Sequence, residues 1–212
     1  DGYVGGQAVV EYFRGLLLTL KGTSSEAMSV SVKWDGAPAV VCGTNPDNGK
    51  FFVGTKAVFA KAAKINYTKK DIAANHGTDE LGQKLLKCLV HLKKLNIQGV
   101  VQGDLLFVDD SITRKNIDGK PHITFTPNTI TYAIPEDGDL AKQIDRAKLG
   151  IIFHTTYAGD SLATMNAQGG ADVSSFAQSP DVFFDNASYK DVSGSAKFTA
   201  DESQQFYNSI DK

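Results

Sequence analysis

Runs of apolar residues at helical and alternating spacing divide the chain into segments of different character. Residues 3–21 carry Val9, Tyr12, Phe13, Leu16, Leu17 and Leu20 at helical intervals and stop at Gly22, which predicts an amphipathic helix closed by a glycine. From Met28 to Trp34 the period changes to two. Val30, Val32 and Trp34 fall on one face of a predicted strand, and Ser29, Ser31 and Lys33 on the other. Further strands are predicted at 38–44 and 51–56, joined by the turn-forming run Asn45-Pro46-Asp47-Asn48-Gly49. After a lysine-rich stretch, Thr78 is placed to cap a helix reaching Asn96, with Leu81, Leu85, Leu89, Leu92 and Leu95 as its buried stripe.

An apolar strand over 97–108 is interrupted by Gly103-Asp104, and Asp118-Gly119 marks a hairpin turn leading to strands at 123–127 and 129–134. A short helix near 139–148 feeds a strand over 150–159 that carries Phe153 and ends at a glycine. Residues 160–212 are rich in Ser, Ala, Asp and Gly and predict short strands at 182–184 and 197–198 before a terminal helix. The pattern is that of an α+β protein with antiparallel sheets and flanking helices.

Composition narrows the class without deciding the function. A chain of 212 residues with 42% hydrophobic content can bury a sizeable core as one domain. No apolar run approaches the ~18 residues of a membrane span, and no charged-then-apolar leader is visible. Cys42 and Cys88 lie within predicted elements and lack metal-ligand spacing, so they read as buried thiols in a reducing, cytoplasmic compartment. The net charge of −2 argues against a generic polyanion binder, but it is unevenly spread. Residues 1–100 carry 13 Lys+Arg against 8 Asp+Glu, and residues 101–212 carry 9 against 16. Lys56, Lys61, Lys64, Lys69 and Lys70 form a basic series that could meet phosphates or simply face solvent.

The chemistry concentrates on Lys33-Trp34-Asp35-Gly36, where a lysine aimed off the apolar strand face is followed by an acid and a turn glycine. Two more segments follow in order: Val100-Val-Gln-Gly-Asp-Leu-Leu-Phe107 and Gly150-Ile-Ile-Phe-His-Thr-Thr-Tyr-Ala-Gly159. With these three in place, residues 25–160 resemble the covalent nucleotidyltransferase superfamily, the ATP-dependent polynucleotide ligases and capping enzymes. In that resemblance Lys33-x-Asp35-Gly36 is motif I, Phe52-Val-Gly-Thr-Lys56 is motif Ia, Gly103-Asp104 is motif III and the Phe153 strand is motif IIIa. Pro38 stands two places after the motif I glycine, where DNA ligases and capping enzymes carry Arg. That departure and Phe125-Thr-Pro-Asn-Thr-Ile130 tilt the likeness toward phage-type RNA ligases.

The resemblance implies a ligase-type nucleotidyltransferase domain, ATP-grasp-like, around an ATP cleft, with ATP and Mg²⁺ as cofactors. It also implies a monomer, free of membranes, that acts on polynucleotide ends, RNA rather than DNA, in an infected host cell if phage-encoded. A free lysine is unprotonated in only about one copy in two thousand at neutral pH, so Lys33 would need nearby cations or partial burial to attack ATP. The implied roles are Lys33 as nucleophile, Asp35 and Gly36 shaping the turn, and Asp104 on ribose or metal. Phe153 would stack on adenine, and Lys56 would touch phosphate or the nucleic-acid end. His154 stands where many relatives carry Asp. A motif IV Glu-Gly strand is missing, since no glutamate lies between Glu136 and Glu202, and Lys190 and Lys197 are poor motif V candidates. The expected organisation is a core over 1–160 and an appended segment over 161–212, on a chain cut before motifs IV and V. Asp181 and Asp185 are the acids placed to stand in for motif IV. A DNA ligase, another nucleotidyl transferase, and a degenerate binding or structural protein of the same fold are the alternatives.

Overall fold

Two hydrophobic faces of one largely antiparallel sheet organise most of the chain. The computed structural model describes residues 2–23, 31–188 and 197–210, which fall into two units, 1–31 with 188–212 and 32–187. The residue-160 boundary expected from the family resemblance falls inside the larger unit.

That unit is built on a six-stranded sheet in the order β2-β1-β3-β7-β8: β1 (Ala39–Thr44), β2 (Phe51–Gly54), β3 (Val100–Val108), β7 (Leu149–Ala158) and β8 (Asn166–Gly169). The sixth strand, β9 (Val182–Asn186), runs parallel to β7 along Leu149–Phe153. A second, three-stranded sheet follows β3: β4 (Thr113–Ile117), β5 (Lys120–Phe125) and β6 (Tyr132–Pro135). Its first hairpin turns at Asp118-Gly119, both with positive φ, as that dipeptide predicts.

One face of the large sheet, with Val40, Cys42, Val53, Val101, Leu149, Ile151 and Phe153, packs with Leu85, Cys88 and Leu92. These last three are the buried side of α3 (Glu80–Leu92), which extends the predicted leucine stripe into a 3₁₀ turn at Lys93–Leu95. The helix is capped by Asp79, whose carboxylate accepts from the Gly82 amide, one residue beyond the predicted cap. Before it, α2 (Lys69–His76) begins at a Thr68/Asp71 capping box.

The other face carries two separate clusters. Leu106, Phe107 and Ile152 meet Ile123 and Phe125 of the small sheet and Ile144 of α4 (Asp139–Arg146), while Val41, Phe52 and Val100 meet Val58 and Leu162. Between them the face turns polar.

In the smaller unit, α1 (Gly2–Leu20) packs with α5 (Ala200–Ile210) through Phe13 and Phe206, and the Phe198 amide donates to the Leu20 carbonyl. Only Leu17 of the predicted α1 stripe is buried; Val9 and Tyr12 are 53% and 55% exposed. Residues 197–199 form no strand. No helix among the described residues is long and apolar enough to cross a membrane.

Candidate functional site

Residues 32–36 form no regular strand; they are an extended connector, and residues 28–30 of the predicted strand lie outside the described residues. Two backbone anchors fix the connector. The Val32 amide donates to the Ala187 carbonyl just past β9, at 2.8 Å. At the other end the Ala37 amide donates to Leu105 O, and the Leu105 amide to Pro38 O, at 2.9 and 3.1 Å.

Between the anchors, each residue of the motif has a different fate. Trp34 stacks on Tyr132, which stacks on Phe125. The Asp35 amide donates to the Tyr132 hydroxyl at 2.8 Å. The Asp35 carboxylate accepts from the amides of Ile130 and Thr129, the Thr129 hydroxyl and the Asn128 side chain, all at 2.7–2.9 Å. The Ile130 N–H first, then Asn128 and Thr129, hold this carboxyl well below the usual carboxylate range. Asp35 is therefore spent on the distant Asn128–Ile130 loop. Lys33, alone of the motif's side chains, is exposed, and it forms no ion pair among the described residues.

Gly36 lies directly on Asp104. A β-carbon at Gly36 would meet the Asp104 Cβ at 2.5 Å and the Leu105 carbonyl oxygen at 3.0 Å, so only glycine allows this approach. Gly103 is needed for a similar reason, since a Cβ there would meet Ile152 O at 2.6 Å. Gly36 thus lets the Lys33 connector pack onto Asp104, and Gly103 lets β3 approach β7 closely.

A register shift between Gln102 and Gly103 leaves His154 as an extra residue on β7. Its Nε2 lies 3.4 Å from Asp104 Oδ1, within ion-pair reach but outside hydrogen-bond geometry, so this buried nitrogen has no hydrogen-bond partner. Its Nδ1 is 2.8 Å from the Thr155 hydroxyl. Gln102, buried beside them, accepts from the Tyr157 hydroxyl at 2.7 Å. Gln102, Asp104 and His154 make a polar seam between the two apolar clusters. His154, which the sequence marked only as a departure from the family pattern, is part of the site.

The register also places the acids of the late strand. Asp104 pairs with Ile152 on β7, and Ile152 with Asp185 on β9, so the two carboxylates flank Ile152 on one face, about 10 Å apart by strand spacing. Asp181 is elsewhere: Lys94 first, together with His91, binds it and lowers its pKa. Lys190 lies outside the described residues.

Two expected contacts change. Phe153 is 0% exposed, pairs with Gly103, which in turn pairs with Val40, and meets Phe176 edge-on at 5.4 Å. It points into the α3 core, away from Asp104, and is not available to stack on a base. Lys56 is exposed on a 3₁₀ turn (Lys56–Phe59) rather than on a strand. That turn sets Phe59 against Tyr157, ring centroids 4.4 Å apart, so Lys56 sits on the Gln102 side of the sheet. Among the described residues no group of three or more His, Cys, Asp or Glu could hold a metal ion.

The fold is mixed α+β, with antiparallel sheets flanked by helices around this seam. Over residues 1–212 the chain belongs to DUF6267, a family of unknown function. No curated protein and no solved structure matches it.

Proposed function

We propose that the protein is an ATP-dependent, RNA-ligase-like nucleotidyltransferase of the ligase fold, with Lys33 as its covalent nucleophile. The observation that carries this reading is the contact of Gly36 with Asp104. It joins the Lys33-x-Asp35-Gly36 and Gly103-Asp104 segments into one site while Lys33 alone stays exposed. The Lys33 amine, having lost its proton to solvent, forms a bond to the α-phosphorus of ATP. The bond from that phosphorus to the bridging oxygen breaks, and pyrophosphate leaves. AMP then passes from the lysine to a 5′-phosphate end, and a 3′-hydroxyl displaces it to join the strands.

On this reading the triphosphate would lie near Asp104 and Asp185, which flank Ile152 on one face of the sheet. One or two carboxylates suffice for Mg²⁺ when phosphates supply the other oxygens, and the bound ion would neutralise phosphate charge. A base entering the seam would meet Tyr157 and Phe59 instead of Phe153.

The Asp104–His154 contact favours a second reading, a nucleotide-binding relative that no longer transfers AMP. Charging with radiolabelled ATP or GTP, followed by nicked RNA and DNA substrates, separates the possibilities. Label from ATP and sealing of RNA nicks support the proposal. GTP charging, or sealing of DNA alone, favours the other transferases, and nucleotide binding without label favours the second reading.

A further inference from the structure

At the far end of β1 from Asp104, about 17 Å along the strand, a cleft of about 590 Å³ opens between the β1–β2 turn, the start of α2 and the segment after α3. Lys50 and Lys93 line it, and neither ammonium has an ion-pair partner among the described residues. The described residues lining it include no carboxylate. The acids on the packed elements are Asp71 and Asp47. Asp71 accepts from the amides of Tyr67 and Thr68, and the exposed Asp47 lies in the β1–β2 turn outside the lining.

Two lysines alone would describe a solvated face; Tyr67 makes the difference. Asn45, fully buried, donates its Nδ2 to the Tyr67 hydroxyl at 2.6 Å, and Asn48 donates its Nδ2 to the same oxygen at 3.0 Å. Both asparagine carbonyls are held in the turn, accepting from Asp47 N and Lys50 N, which fixes their amino groups on the tyrosine. An oxygen that already accepts two hydrogen bonds has only its own proton left to offer. Tyr67 is thereby committed as a donor on the wall of the cleft, with no acceptor among the described residues.

From this arrangement we infer that the cleft is a second anion site that binds a phosphate group between Lys50, Lys93 and the Tyr67 hydroxyl. Two cations and a hydroxyl donor, with no acid in the lining, match a phosphate's charge and acceptors. The phosphate could belong to a free phosphate or nucleotide, or to a polynucleotide backbone.

Titration calorimetry of the full chain at low salt tests the site with two probes: inorganic phosphate, and an oligoribonucleotide without terminal phosphates. Phosphate is expected to bind once, at least tenfold more weakly in Lys50→Gln/Lys93→Gln and undiminished in Lys33→Ala. Tyr67→Phe is expected to weaken it several-fold, with circular dichroism checking its fold. Oligonucleotide binding tighter than phosphate, and lost in the double variant, assigns the site to a backbone. Oligonucleotide binding no tighter than phosphate assigns it to the small anion. Absence of one-site phosphate binding, or equal affinity in the folded double variant, overturns the inference.

Discussion

Gly36 and Asp104 are packed so closely that a single added methyl at Gly36 would fall 2.5 Å from the Asp104 Cβ. Nearly seventy residues apart in sequence, they are the point where the Lys33 connector closes onto the central strand. Since the neighbouring atoms include backbone, Gly36→Ala cannot be relieved by one rotamer change. It is expected to cost about 1–3 kcal/mol of stability, as overpacking does, and to displace Lys33. Urea unfolding gives the first effect; the second should appear as a lower yield of AMP adduct at temperatures where the variant is fully folded.

Asp35 ties the same connector to the Asn128–Ile130 loop, and its depressed pKa makes the tie pH-dependent. A carboxyl whose folded pKa lies below its unfolded value of 3.8 stabilises the fold fully above that value. The contribution is lost as pH falls from there through the folded pKa. Stability measured between pH 5 and pH 3 should therefore drop more steeply in the native protein than in Asp35→Asn, which has no such proton to gain. Parallel pH profiles would contradict the assignment.

Phe153 is expected to behave as core. Phe153→Leu, close in volume, should lower stability by about 1 kcal/mol and leave ATP affinity unchanged. A tenfold loss of ATP binding without a stability change would restore the stacking role that the family resemblance implies.

Much of this architecture was legible from periodicity. The α3 leucine stripe, β1, β3, β7 and the Asp118-Gly119 hairpin follow from local spacing and turn chemistry. The site was legible only in part. Lys33, Asp104 and the glycines stand out as residue types, but the side to which Phe153 points is decided by Phe176 and α3, contacts that no local pattern encodes. The bulge that aims His154 at Asp104 is likewise a product of pairing between distant strands. Alternation misled at Lys33, because residues 32–36 run between an anchor just past β9 and one on Leu105 of β3 instead of forming a strand. In α1, helical spacing predicted the element correctly but not its burial.

The proposed function gives the two late acids different expected effects. Asp185→Asn, on the strand in register with Asp104, is expected to slow AMP transfer at least tenfold with the fold intact. Asp181→Asn breaks the Lys94 and His91 contacts and should alter stability alone. Equal transfer rates in both variants would remove Asp185 from the site.

The most direct test of Lys33 as nucleophile is the intact mass of the protein after incubation with ATP and Mg²⁺, read with Lys33→Ala alongside. The exposed position of Lys33 predicts that this variant folds normally. The native chain should gain one AMP, stable to base and released by acid as a phosphoramidate is, and the variant should gain none. No adduct on the native chain, or an adduct that persists in Lys33→Ala, would contradict the account.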